Sequence, residues 1–542
     1  MKHQSLTAGS IWYAVVLGVA LLAGTLLRLV ANDGPFPSSD HAELAAIVTF
    51  FYPRSLSLGN SWQILTSVHG TLPPLLSLLS TTAIGLAGIR ITEWWWNLPF
   101  ALAGVVSIVV AARFAEWLAG WRAGMLAALL VAVLPIHAVL SRASGLSHIT
   151  LMGLCQLVAI WCFMRYYEQP TAARARAAGL SLCVALLVEL FFPVLLALLF
   201  AVGVLSVQGE TGIWKRLART RQLFSAPAVL LAPLLIIVAT GLIMIANTAG
   251  LVPQGGTFSR LFAGSDRQAG IYLGAFWSNG VFTMGGTGFV LLLGLGALGL
   301  PSLMRLERRA VPLLWAIAYL LPFVLFTRGN VYGYFLMGAM GLALNAAIVL
   351  STLWEQKRPA QLLAGVLIPA LAAVLLLRSF SIIFGISTSL SPIIGEGIAQ
   401  GGLYRDQGLK AAAWWLRTTT SEQTLVFADG KFEPYQIWYY VRRPAIAITD
   451  AVTPEEPYQV LADRAQQPQF YIVPPEHESL LYAHVEGRPR LLLTVTENDQ
   501  PILNVYGPAQ VAPPTQLEVS AGNQRFDQDL GNLAAMVSAP EE

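Results

Sequence analysis

The residues best able to do chemistry sit just beyond the first long apolar run. Pro35-Phe36-Pro37-Ser38-Ser39-Asp40-His41-Ala42-Glu43 places two carboxylates three residues apart. If Asp40 opens a helix, Asp40 and Glu43 share one face. Such a pair can serve as a general base or hold a cation. The plainer alternative is a helix cap with solvated acids, because Ser38, Ser39 and acids all favour a helix N-terminus. His69 comes next, in Val68-His69-Gly70-Thr71-Leu72-Pro73-Pro74, where two prolines start an amphipathic stretch.

Arg142 and His148 bracket the connection 141–148. An arginine at a lipid–water boundary can clamp a phosphate with two parallel hydrogen bonds; it can equally snorkel to headgroups. Arg328, in Thr327-Arg328-Gly329-Asn330, carries the same two readings, and Tyr332 and Tyr334 after it fit an interfacial aromatic belt. Glu189 is an acid deep in an apolar stretch, where ionisable residues usually mark function; at a hairpin tip it would simply be wet. The chain has no phosphate-cradling glycine-rich loop, no His-Glu-x-x-His and no Gly-x-Ser-x-Gly, so a soluble nucleotide-using enzyme is unsupported. Cys155, Cys162 and Cys183 all lie in apolar segments and give neither a disulfide framework nor zinc spacing.

The elements that must position these residues are membrane helices. Of 542 residues, 55% are hydrophobic and only 12% charged, about half the usual share for a soluble protein. Apolar runs predict about eleven spans: 11–30, 94–115, 123–140, 149–167, 177–192, 193–207, 226–246, 282–302, 311–326, 331–351 and 361–384. The positive-inside rule sets two details. Residues 71–88 are read as an interfacial helix, and 178–205 as a short hairpin with Glu189–Pro193 at its outer tip. The basic connections Arg113/Arg122, Arg165/Arg174/Arg176, Lys215–Arg221, Arg305–Arg309 and Lys357/Arg358 then all fall inside. Trp94-Trp95-Trp96 is placed in an aromatic belt. The expected fold is an all-α polytopic membrane domain over 1–390, then a small extracytoplasmic α/β domain over 400–507. Residues 508–542, rich in Pro, Gln, Ala and acids, read as a disordered tail. Residues 401–542 hold 10 Lys/Arg against 18 Asp/Glu, so a basic membrane part precedes an acidic end. No Lys/Arg stripe interleaves with aromatics, so no nucleic acid is expected as a partner. No internal repeat suggests the inverted halves of a transporter.

The order of these pieces resembles the GT-C superfamily of membrane glycosyltransferases, in particular the branch of protein O-mannosyltransferases and lipid A aminoarabinose transferases. The matching string runs from Asp40-His41-Ala42-Glu43 through His69-Gly70-Thr71-Leu72-Pro73-Pro74-Leu75 and Gly88-Ile89-Arg90. It continues through Asn97-Leu98-Pro99-Phe100, Ala119-Gly120-Trp121-Arg122 and Leu134-Pro135-Ile136-His137 to Ser141-Arg142-Ala143. It is good over residues 10–210 and looser to 385.

The resemblance implies an inverting transfer of a sugar from a polyprenyl-phosphate carrier to a glycan, lipid or protein acceptor on the outer face of the plasma membrane. The N-terminus would be cytoplasmic and the C-terminal domain extracytoplasmic. Asp40 then takes the place of the first-loop catalytic acid. Arg142, Arg328 and His69 would meet the donor phosphate, and Glu43, His41 and His148 a metal or the acceptor. The resemblance fixes no cofactor and leaves room for a divalent cation. Two departures stand out: Asp40-His41 where the family usually has Asp-Glu, and Ser147-His148 near where it usually has a second acid. They keep two alternatives open, a catalytically altered relative acting as a membrane scaffold, and a transporter of a lipid-linked substrate.

Overall fold

The computed structural model describes residues 8–30, 72–87, 93–142, 148–188, 192–207, 210, 212–248, 271–326, 335–384, 408–430, 432, 434–446, 453–462, 468–497, 499–508 and 515–518. Among the described residues fifteen α-helices come first: α1 (Ala8–Leu29), α2 (Leu72–Leu86), α3 (Glu93–Ala119), α4 (Trp121–Val133), α5 (Pro135–Leu140), α6 (His148–Glu168), α7 (Ala172–Val188), α8 (Phe192–Ser206), α9 (Ile213–Phe224), α10 (Pro227–Thr248), α11 (Leu273–Met284), α12 (Gly286–Met304), α13 (Val311–Phe326), α14 (Phe335–Trp354) and α15 (Arg358–Phe384). An α/β region follows: α16 (Leu409–Thr419), β1 (Val426–Ala428), α17 (Pro434–Val441), β2 (Ala445–Ile446), α18 (Glu456–Ala462), β3 (Phe470–Val473), α19 (Glu478–His484), β4 (Arg490–Glu497), β5 (Gln500–Gly507) and β6 (Thr515–Glu518). The chain divides into two compact units; the second contains the C-terminal part together with residues 81–96.

This is a multi-pass membrane protein. Among the described residues, seven helices are long and apolar enough to cross a bilayer, or eight if the bent pair α9–α10 is one span. The eleven expected also include 123–140 and the short hairpin of 177–192 and 193–207, whose helices α7 and α8 have 17 and 15 residues. The predicted span 123–140 is two helices, because Pro135 brings no N–H to continue α4 and its ring disfavours a helical Leu134, which sits at ψ 114°. The predicted span 282–302 is found as α12, which begins after a turn at Gly285, whose φ of 75° few other residues adopt. The basic stretch Lys215–Arg221, read as a loop, lies in the amphipathic helix α9, which bends 66° into α10. Helix α2 has 15 residues, about 22 Å of rise, short of a hydrocarbon core of roughly 30 Å.

The centre of the first unit is α14, whose residues are almost all buried. Small residues let its neighbours approach. A side chain on Gly341 would collide with the backbone of Pro312 and Ala316 on α13, and one on Gly338 with Leu320. Asn345 on the same helix donates to Leu295 O of α12 at 3.1 Å.

In the second unit the six strands run in the order β2-β1-β3-β5-β4-β6. Strands β2, β1 and β3 are parallel, β3–β5 and β4–β5 antiparallel. Residues 515–518, placed in the tail by composition, instead pair in parallel with β4. Pairing along an open sheet edge needs backbone groups rather than an apolar side-chain pattern. Trp96 is likewise no belt residue. It is buried against Tyr439, while Trp94 and Trp95 stack edge-on at 4.7 Å. The carboxylate of Glu93 beside them is buried and takes Lys410 Nζ at 3.2 Å and the Tyr440 hydroxyl at 3.0 Å.

Candidate functional site at the end of the helical bundle

At one end of the first unit the basic connections gather. Arg122 pairs with Glu355 at 3.1 Å and Arg308 with Glu168 at 2.9 Å, and Arg216 donates to Leu306 O. Arg308 also lies over Trp117, and Arg113 over Tyr13. Exposed arginines here meet acids and aromatic faces, as an interface with water allows.

The opposite end is built differently. There Arg28, Arg142 and Arg378 are all buried, and the hydrogen bonds resolved for them go largely to helix ends. The break at Leu134–Pro135 orphans the last carbonyls of α4, since the N–H that would reach Val131 O belongs to a proline. Arg28, in the last turn of α1, fills that gap. Its Nη2 donates to Val131 O at 3.2 Å, and its Nη1 to Ala132 O at 3.0 Å and Gly24 O at 2.8 Å. The next orphan, Val133 O, accepts from Ser379 Oγ at 2.9 Å. Arg142 Nη1 does the same for α1, donating to Leu27 O at 2.9 Å and Val30 O at 2.7 Å. Arg378 Nη2 donates to Phe282 O near the end of α11 at 2.8 Å.

His137 completes the cluster. Its Nδ1 lies 2.6 Å from Arg28 Nη2. A guanidinium has no acceptor, so Nδ1 must accept and the ring proton sits on Nε2, giving a neutral imidazole. Gly104 of α3 leaves the room, because a Cβ there would press on Ser141 Oγ and Arg28 Nε. Positive charge is thereby concentrated where α1 hands over to the segment containing Asp40. A second feature runs along the bundle: an apolar groove of about 320 Å³ between α11, α12, α13 and α14, lined by Phe276, Leu293, Gly296, Leu313, Leu320 and Leu342 among others.

The architecture has solved counterparts. ArnT from Cupriavidus metallidurans, in a structure with undecaprenyl phosphate bound, superimposes with a TM-score of 0.58 at 16% identity, over 94% of this chain and 100% of that one. The fold is that of the GT-C glycosyltransferases. The oligosaccharyltransferase of Archaeoglobus fulgidus, tethered to an acceptor peptide, agrees at a TM-score of 0.54 and 15% identity, over 87% of this chain and 70% of that one. No family model and no curated sequence matches the chain.

Of the residues singled out in the sequence, Asp40, His41, Glu43, His69, Glu189 and Arg328 lie outside the described residues. His148 contributes the first residue of α6, with nothing described of its side chain. Arg142 is buried rather than snorkelling, over the Phe384 ring at 5.8 Å. Arg28, His137 and Arg378 were missed as a group. A signal existed: Arg28 and Arg378 lie inside apolar runs, where a charge needs a partner, and Pro135 announces an orphaned carbonyl.

Proposed function

We propose that the chain transfers a sugar from a polyprenyl-phosphate-linked donor to an acceptor at the extracytoplasmic face of the membrane. What carries the reading is the full-length likeness to ArnT, whose compared structure holds undecaprenyl phosphate. Two physical features support it. A polyprenyl tail stays in the bilayer, so the sugar–phosphate bond must break at an interface beside the helices, and the apolar groove offers such a tail a seat. The departing phosphate needs cationic stabilisation, and the far end of the bundle concentrates guanidinium charge.

In this reading the basic connections are cytoplasmic, by the positive-inside rule, and the Asp40 segment and the α/β domain are extracytoplasmic. Asp40 is the base that takes the acceptor's proton, and attack at the anomeric carbon inverts its configuration. Arg328 and His69 meet the donor phosphate. Arg142 contributes its charge and fixes the chain where the Asp40 segment begins. Glu43, His41 and His148 hold the acceptor or a divalent cation, and loss of turnover in EDTA with recovery in Mg²⁺ or Mn²⁺ would assign them the cation.

The test is transfer by the purified chain from radiolabelled polyprenyl-phosphate sugars. Asp40→Asn is expected to abolish transfer, by about a thousandfold or more if the base is essential, with an unchanged unfolding midpoint. Full activity in that variant would remove Asp40 from the role. The second reading, a non-catalytic scaffold, is favoured by His148 standing where the resemblance expects an acid. Measured transfer by the wild-type chain would end it.

A further inference from the structure

The strand order of the second unit creates a site of its own. The chain leaves β1 through α17 to β2 on one side, then passes through α18 to β3 on the other side of β1. In open α/β sheets ligands bind in the crevice beyond the carboxyl ends of the strands where such a reversal occurs, here those of β1 and β3. Three polar side chains meet there. Asp429 directly follows β1, His477 lies four residues beyond β3, and Tyr458 comes from the first turn of α18.

The geometry is specific. Asp429 is 1% exposed, and its backbone is fixed by Asp429 N–H to Ile472 O at 3.0 Å. Its Oδ2 accepts from the Tyr458 hydroxyl at 2.6 Å and stands 2.9 Å from His477 Nδ1. Burial and the adjacent carboxylate push the Tyr458 hydroxyl far above its ordinary pKa, so it remains a donor at every physiological pH. A carboxylate accepts, so His477 Nδ1 carries a proton, and in the neutral ring Nε2 is the acceptor. The carboxylate also orients the ring, as it does for histidines that serve as ligands. The His477 side chain is 22% exposed, so part of the ring is reachable from solvent. Ion pairing alone is a weak reason to bury Asp429, because an apolar trio of similar volume would be as stable or more so.

The surroundings choose the ligand. Glu455, Glu456, Glu476 and Glu478 flank Tyr458 and His477 in sequence, and residues 401–542 carry 18 acids against 10 bases. That field disfavours an anion. Among the described residues no three metal-ligating side chains come together. What remains is an uncharged ligand that donates a hydrogen bond. We propose that the crevice at the ends of β1 and β3 binds an uncharged saccharide, with His477 Nε2 accepting from a sugar hydroxyl and Asp429 and Tyr458 holding the ring in place. The inference does not rest on the transferase reading, because binding is read with no donor present.

The experiment uses the full chain in nanodiscs, titrated with neutral gluco-, manno-, galacto-, xylo- and arabino-oligosaccharides and, separately, with inorganic phosphate. Saturable binding of at least one oligosaccharide is expected. His477→Ala should weaken it by about tenfold or more, the loss of roughly one hydrogen bond, and Asp429→Asn should weaken it too, with both variants still folded by circular dichroism. The bound saccharide should also shield His477 from carbethoxylation by diethyl pyrocarbonate, mapped by mass spectrometry on the wild-type chain, a readout that needs no variant to fold. Absence of binding across the panel, binding indifferent to His477→Ala, or displacement of the saccharide by phosphate would each overturn the proposal.

Discussion

The two ends of the helical bundle use the same residue type for opposite purposes. At the basic end arginines are exposed and meet Glu168, Glu355 and indole faces. At the other end Arg28, Arg142 and Arg378 are buried and donate to carbonyls of broken or ending helices. Environment makes the difference. An exposed pair competes with water and contributes at most about 1 kcal/mol. An orphaned carbonyl in an apolar interior has no water to turn to, and leaving it unmade costs about 1–3 kcal/mol. An arginine that fills several such gaps locks helices together while leaving net positive charge in place. That charge, once housed for structural reasons, is available to an anionic headgroup.

The contrast can be broken by mutation. The largest effect is expected for Arg28→Ala, which strands Val131 O and Ala132 O together. Stability should fall by about 3 kcal/mol, read as a lower unfolding midpoint in detergent; a loss below that of a typical intramembrane side-chain hydrogen bond, about 0.6 kcal/mol, would mean the gap is filled by something else. Arg142→Ala should cost about 2 kcal/mol, by uncapping α1. It should also lower kcat/KM for transfer, with Arg142→Lys between the two because a lysine is a point donor rather than a fork. A sharper test is a double-mutant cycle. Pro135→Ala returns an N–H able to reach Val131 O, so it should offset about 1 kcal/mol of the Arg28→Ala loss; strict additivity would show that Arg28 is not there to repair the proline break. The smallest effect belongs to Arg122→Ala at the other end, within about 1 kcal/mol and fading further in high salt.

Much of the fold was legible because a bilayer leaves few options. Apolar runs of spanning length can only be helices, and the terminal alternation of short strands and helices can only be a layered α/β domain. The failures were local and physical. The span 123–140 ignored Pro135. The strand at 515–518 looked like tail because its pairing with β4 is a backbone matter. Arg142, read as a phosphate clamp or a snorkelling residue, also donates to Leu27 O and Val30 O, more than a hundred residues earlier, which no local pattern announces.

The sequence by itself determined that the chain is woven through a membrane, which connections are basic, and that an acidic α/β region follows. Tertiary structure alone decided that Arg28 meets His137 and that Asp429 meets His477, 109 and 48 residues apart along the chain. The reason is geometric. A helix apolar all round carries no stripe to say which face meets which neighbour. A proline can announce a missing hydrogen bond, but only packing chooses the side chain that makes it.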